Sequence, residues 1–276
     1  MKIGLMQGRL SEPSSDKVQE FPWNSWREEF RRAVLIDLHL LEWTLDLNGL
    51  YENPFMTPAD YKEIMDLCKQ HDIKVESVTL DCFLEAPLHR RHPVTLAKSE
   101  MQDLVAVAES ARNLGVRVGV LPLVAESGQD NRETMRDLFL ILAAVEDVCV
   151  GLNFQIALEC EFDTETIQWI SQEIREFRHV GFNFDTGNSA SLGNNPNEEL
   201  SIYGDKLLNV HIKDRKLKGK TVPLGHGNAD FEAISRGLRE LNYNGNMILQ
   251  AARQQRGQEL ETVSSYLRFC ERFEWR

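Results

Sequence analysis

Four polar residues fall at the ends of four successive apolar segments in the second half of the chain: Glu159 in QIALECE, Asp185 in GFNFDTGN, His211 in NVHIKDR and Gln250 in NMILQ. In an extended chain successive side chains point to opposite faces. Ile156 and Leu158 then share one face and Glu159 the other. Phe182 and Phe184 likewise oppose Asn183 and Asp185, and Val210 and Ile212 oppose Asn209, His211 and Lys213. The last segment is too short for alternation to decide, but Gln250 falls at the matching height. Two carboxylates and an imidazole meeting at one point resist burial unless a cation joins them. One divalent metal ion resolves that conflict, and oxygens plus one imidazole suit Mn, Mg, Co or Zn with positions left for substrate. Gln250 could add its amide oxygen, a weaker donor than a carboxylate. Any one of these residues alone is more often a cap or a satisfied polar group, so the chemistry is carried by the set.

Such segments need a scaffold that lines them up. Short runs rich in β-branched and apolar residues (KIGLM, HLLEW, KVESVTL, VRVGVLPL, FQIALEC, VGFNFD, LLNVHIKD, NMILQ) alternate with stretches of helical period along the whole chain. Their starts are spaced by about 25 to 42 residues, which suits βα units with loops of varied length. Thr57-Pro58 reads as an N-cap with proline at the first helical position, and Gly115 and Gly151 read as helix stops. Eight such units predict an α/β fold, a single (β/α)8 TIM barrel spanning residues 1–276. A doubly wound nucleotide-binding sheet would place a third glycine in frame after the first strand, and GLMQGRLSEP has only two. Active sites of such barrels sit at the C-terminal ends of the strands, where the four polar residues fall.

Composition narrows the partners. With 42% hydrophobic and 27% charged residues the chain is ordinary for a globular protein, and its formal net charge of -12 argues against a phosphate-backbone partner. No apolar run approaches the length of a membrane helix, and the first ten residues lack the pattern of a signal peptide, so a cytoplasmic location is expected. The five cysteines show no paired CxxC spacing, which fits reduced thiols. The expected partner is a small ligand held in a local site, with no nucleic acid and no membrane; exposed helix faces leave a homo-oligomer open.

From MKIGLMQGRL through ALE, FDTGN, HIKDR and PLGHGNADF to the last strand, the chain resembles the sugar phosphate isomerase/epimerase family of xylose isomerase-like barrels. That group also includes hydroxypyruvate isomerases, keto-inositol dehydratases and the apurinic endonuclease IV branch. HIKDR followed by PLGxGxxDF is the more specific part. The resemblance implies one metal held by Glu, Asp, His and a second Glu from strands 5 to 8, which by position are Glu159, Asp185, His211 and Gln250. Two departures stand out. In the ketose 3-epimerases the last position is an acid that both binds metal and moves a proton, and here it is Gln250. The position between the glycines of PLGHG, commonly acidic, is His226.

The implied chemistry is removal of a proton α to the carbonyl of a small carbohydrate, with the metal lowering the cost of the ene-diolate. Glu159 is then ligand and base, Gln250 cannot supply a proton on the opposite face, and His226 is the imaginable substitute. A single base suffices for aldose-ketose isomerisation. Gln7, Arg9, Glu42, Lys213, Arg215 and Arg253 are expected to meet substrate, with Asp81 as a further residue at the mouth and the tryptophans of FPWNSW placed to stack on a sugar. A barrel that binds a sugar without turning it over, and a lyase or dehydratase sharing the intermediate, are the rival readings. A nuclease would call for a His-rich multi-metal site and a basic groove, and neither is evident.

Overall fold

The computed structural model describes residues 1–13, 19–88, 98–124, 132–253 and 255–275. Its centre is a closed barrel of eight parallel strands: β1 (Lys2–Met6), β2 (Leu40–Thr44), β3 (Lys74–Thr79), β4 (Val118–Val124), β5 (Gln155–Glu161), β6 (Val180–Asp185), β7 (Leu207–Ile212) and β8 (Asn246–Leu249). Each strand pairs with its sequence neighbours, and β8 closes the ring on β1 with Gly4 opposite Ile248 and Leu5 opposite Leu249. This is the (β/α)8 architecture that the alternating pattern predicts.

Strand alternation sorts the side chains into two compartments. Ile156, Leu158, Phe182, Phe184, Val210 and Ile212 point outward and join the main apolar core between barrel and helices. The inside holds a separate small apolar floor of Met6, Leu40 and Ile248. Gly4 is what lets that floor close, since a Cβ there would lie 2.7 Å from Ile248 Cδ1 and from Leu40 Cγ. Above the floor the interior turns polar, with Glu42, Ser77, Asn183, Asn209 and His211 all buried.

The strands are staggered in a way that levels the candidate residues. Glu159 is in register with Asn183, Asp185 with His211, and His211 with Ile248. Asp185 therefore stands two positions past the partner of Glu159, and Gln250 two past the partner of His211. In a barrel of tilted strands, a constant height along the axis advances by about one residue per strand. The offsets bring residues from four strands toward one end of the barrel.

Local boundaries differ from the sequence reading in two places. The helix expected after Thr57-Pro58 begins at Tyr61 and ends at His71, because residues 57–60 form turns first. The long helix Arg132–Leu152 runs through Gly151 and stops at Asn153, whose φ of 55° takes the left-handed turn. Gly115, with φ 77°, does end the helix Lys98–Leu114. Elements not anticipated include the short helix Cys82–Glu85, the helix Thr186–Leu192 directly after β6, and a two-stranded ribbon of Asp214–Arg215 with Thr221–Val222. Among the described residues no helix is long and apolar enough to cross a membrane, and the five cysteines are free.

The ribbon leads into PLGHGNADF, and one buried carboxylate organises it. Asp214 Oδ2 accepts from the backbone N–H of Gly225 (2.9 Å) and Gly227 (2.8 Å), and Oδ1 accepts from Ala229 (3.1 Å). Gly227 is required for this approach, because a Cβ there would fall 1.9 Å from Asp214 Oδ1. Replacing Asp214 with alanine strands three backbone donors. The expected cost is about 2 to 4 kcal/mol, read as a lower midpoint in urea unfolding; an unchanged midpoint would show the loop holds itself.

Candidate functional site

Glu159, Asp185 and His211 converge at the C-terminal mouth, each buried, with one ligating atom from each lying within 4.8 Å of the others. The backbone arranges every one of them. Asp185 ends β6 and caps the helix Thr186–Leu192: its Oδ1 accepts from the N–H groups of Gly187 (2.8 Å) and Asn188 (2.9 Å). That leaves Oδ2 turned to the cluster, 2.7 Å from Lys213 Nζ. Glu159 leaves β5 with Oε1 taking a 3.4 Å hydrogen bond from Asn188 Nδ2 and Oε2 lying 3.3 Å from His211 Nδ1. His211 is gripped from below, its Nε2 2.8 Å from Glu42 Oε1.

Glu42 is therefore not where the sequence reading put it. Fully buried beneath His211, it accepts from Ser77 Oγ (2.7 Å) and Asn209 Nδ2 (3.1 Å), and Asn209 also donates to Asn183 Oδ1 at 2.9 Å. A carboxylate in that position fixes the ring and turns Nδ1 toward Glu159 and Asp185. Neither Ser77 nor Asn209 carried a motif; only their inward register on β3 and β7 could have pointed to them.

The charges inside the cluster are strongly coupled. Burial raises the Glu159 carboxyl, and the Asp185 carboxylate adds to that while His211 opposes it. For Asp185 burial also pushes upward, but the Lys213 ammonium, Glu159 and His211 outweigh it and bring the carboxyl down to about 2. Burial disfavours an imidazolium at His211, yet Glu42 and Glu159 on either side overcome this and raise it to about 10. Asp81, at the end of β3, is pushed up to about 7 by burial, against the hydrogen bond it accepts from Thr79 Oγ1 at 2.7 Å.

These groups fit a divalent cation. Gln250 Oε1 is buried with no hydrogen-bond partner, while Asp185 Oδ2 and His211 Nδ1 meet only the charged groups of Lys213 and Glu159. A set of carboxylate, imidazole and amide donors is a normal environment for such an ion. Gln250 itself follows β8, its N–H donating to Ile212 O at 3.1 Å.

Above the cluster opens a cleft of about 700 Å³ lined by Gln250, Lys213, Arg215, Arg9, Arg253 and Arg256 among others. Four of the residues expected to meet substrate, Arg9, Lys213, Arg215 and Arg253, thus share one space with Gln250. Lys213 pairs with Asp185, its stem crossing Gly187, where a Cβ would lie 2.8 Å from Lys213 Cγ. Arg215 Nη1 donates to Glu161 Oε1 (2.6 Å) and Asn188 Oδ1 (2.8 Å). Gln7 stays outside: it is buried, with Oε1 accepting from Thr44 N at 3.3 Å. His226 is exposed on the loop that Asp214 organises and does not line the cleft. The stacking role expected of FPWNSW also lapses. Trp26 is buried against Phe21, Phe30 and Trp43, and Trp23 packs on Phe21 away from the cleft lining.

The profile of the xylose isomerase-like TIM barrel matches residues 37–270. The chain belongs to that family. Among curated family relatives, "Putative L-ribulose-5-phosphate 3-epimerase SgbU" of Haemophilus influenzae is 24% identical over 82% of this chain and 83% of its own. An inosose dehydratase of Clostridium botulinum is 37% identical over a shorter stretch, 25% of this chain and 29% of that one. Among solved structures, a D-psicose 3-epimerase of Clostridium cellulolyticum with D-tagatose superposes with a TM-score of 0.77 at 14% identity, covering 99% of both chains; at that identity the likeness is one of fold.

Two outcomes follow from the charge coupling. Below about pH 10 a metal entering the site displaces the His211 proton, so affinity should rise with pH. Calorimetry near pH 7 in buffers of different ionisation enthalpy should show roughly one to two protons released per ion. Glu42→Gln should weaken metal binding by about 10- to 100-fold, measured by competition with a chromophoric chelator; full-strength binding would mean His211 needs no support from below.

Proposed function

We propose that this chain is a divalent-metal-dependent isomerase or epimerase acting on a sugar or sugar phosphate. The observation that carries the reading is the buried Glu159, Asp185 and His211 cluster at the mouth of the barrel, beneath a cleft of sugar size. Glu159, Asp185, His211 and the amide oxygen of Gln250 would hold the ion. When bound, it polarises the substrate carbonyl and the adjacent hydroxyl and so lowers the cost of an ene-diolate.

The chain's own residues do the rest. Glu159 takes the proton from the carbon next to the carbonyl and returns it to the neighbouring carbon on the same face. Asn188 holds one of its oxygens in place. Lys213 keeps Asp185 ionised and presents its ammonium to the cleft. Gln250 can accept a hydrogen bond or offer a lone pair, but it cannot carry a proton at neutral pH.

Gln250 lines the cleft and cannot carry a proton, which favours single-base isomerisation over two-base epimerisation. His226 takes no part in this scheme because it is exposed and lies off the cleft lining. Gln250 also supports a second reading, a barrel that binds a sugar and has lost turnover. The likeness to an inosose dehydratase keeps a lyase as a product-level alternative.

Products settle the matter. Incubating metal-loaded protein with ketoses, aldoses and their phosphates and following them by NMR should give aldose-ketose pairs, and Glu159→Gln should lower kcat by about 10²- to 10⁴-fold. Retained metal with no turnover of any of these would favour the binding barrel. Gln250→Glu then separates the two: turnover that rises marks a site that has lost a working acid, and turnover that falls makes the amide part of the chemistry.

A further inference from the structure

Two buried carboxylates show what a structural role looks like in this chain. Glu29 accepts from Gly8 N (2.8 Å), Leu10 N (3.0 Å) and Ser11 Oγ (2.9 Å), and Asp214 accepts from three backbone N–H groups of its loop. Asp81 is different. It is nine-tenths buried and accepts one hydrogen bond, from Thr79 Oγ1 to Oδ1 at 2.7 Å, while its buried Oδ2 has no hydrogen-bond partner. An aspartate directly before a helix ordinarily caps the free N–H groups. Asp81 precedes the helix Cys82–Glu85, yet its side chain makes no cap hydrogen bond.

Strand pairing sets its height. Thr79 is in register with Val120, and Val120 with Ala157. Asp81 and Glu159 each lie two residues further on, so they share a rung. Because a constant height advances by about one residue per strand, the same rung two strands earlier lies nearer the mouth. Asp81 therefore stands one inward layer above Glu159. Cleft residues surround that level: Gln19 lines the cleft and donates to Thr44 Oγ1 at 3.1 Å, and Thr44 is the rung partner of Thr79. Arg9, another lining residue, faces the Asp81 carboxyl from the β1 side.

Burial does most to keep a proton on Asp81; the Thr79 hydrogen bond opposes it, Asp46 after β2 and Glu159 on β5 add to it, and His211 on β7 opposes it. The adjoining Cys82 is a buried thiol held neutral by the same burial. A protonated carboxyl in that place is a donor in search of an acceptor.

Shifting a carbonyl by one carbon along a sugar requires two transfers, a hydrogen between carbons and a proton between oxygens. Glu159 serves the carbons. We propose that Asp81, through Oδ2, meets the carbonyl and hydroxyl oxygens of the substrate and carries the proton between them. This role rests on the isomerase reading. Starting from an aldose, Glu159 takes the C2 hydrogen as a proton, the C–H electron pair forms the double bond between the first two carbons, and the carbonyl oxygen takes the Asp81 proton. Asp81, now ionised, takes the proton of the second hydroxyl. The carbonyl forms there, and the double-bond pair takes the Glu159 proton at the first carbon. Both carboxyl groups end as they began, and nothing else is consumed.

The test assays metal-loaded wild-type protein, Asp81→Asn and Thr79→Val across pH with D-fructose, D-xylulose and their phosphate esters, with metal content and melting temperature measured on every sample. The protonated form of Asp81 is the working one, so wild-type kcat should fall on the alkaline side as that proton is lost. Asp81→Asn keeps the shape but cannot pass a proton, so kcat should drop by about 10²- to 10⁴-fold and the alkaline limb should vanish. Thr79→Val removes a hydrogen bond that favours the ionised carboxylate, so the limb should move to higher pH. A merely structural role would lower the rate and leave the limb where it was. Infrared difference spectra across neutral pH, recorded without sugar, should lose one protonated-carboxyl component in Asp81→Asn. A limb that stays in place in both variants, or carboxyl spectra identical with and without Asp81, overturns the proposal. Turnover that Asp81→Asn leaves intact sinks the proton shuttle alone, whereas wild-type protein that converts none of these sugars sinks the isomerase reading and the shuttle with it.

Discussion

The constraint on which the rest depends is the burial of His211 between two carboxylates. Its ring lies 2.8 Å from Glu42 on one side and 3.3 Å from Glu159 on the other, with no exposure to solvent. Ionisable groups placed so deep cost several kcal/mol each unless every lone pair and proton is answered. The interior is arranged to answer them. Ser77 and Asn209 satisfy the lower carboxylate, with Asn183 accepting from Asn209, Asn188 steadies the upper one, and the first turn of the helix after β6 satisfies one oxygen of Asp185. Ligating atoms of Glu159, Asp185 and His211 still lie within 4.8 Å of one another, a spacing suited to something that is not protein.

Charge is also divided vertically. The polar interior below the cleft is acidic, with Glu42, Glu159, Asp185 and Asp81 all buried. The rim above it is basic. A ligand entering from solvent meets cations before it meets carboxylates, and low-dielectric walls make both fields stronger than they would be on an open surface. The overall negative charge of the chain says nothing about this, because net charge averages over surfaces that a small ligand never touches.

Much of the arrangement was legible in the sequence. Glu159, Asp185 and His211 could be placed inward because Ile156, Leu158, Phe182, Phe184, Val210 and Ile212 fix the outward face of their strands. Glu42 could not be placed in the same way. All five residues of LLEWT are buried, so burial there shows no alternation, and nothing local tells whether a glutamate lies at the mouth or a layer below. Depth in a barrel depends on strand stagger, which is a property of pairs of strands. The tryptophans of FPWNSW failed for a related reason: Trp26 is claimed by Phe21 and Phe30 close by in sequence and, across elements, by Trp43 of β2. Gly151 misled because a glycine inside a helix and one just beyond it look alike until the next residue, here Asn153, takes the turn.

At four residues, β8 is the shortest strand of the barrel, and Gln250 comes after its last rung. The residue there is tied to β7 by one backbone hydrogen bond, and its side-chain oxygen is buried without a partner at the cleft. Asp185 and His211 are different: each is bolted into a helix cap or a buried network, and altering either unsettles its neighbours. The socket therefore has three fixed walls and one adjustable jaw. Proteins built on this plan can retune their chemistry at that jaw while the frame that grips the rest stays as it was.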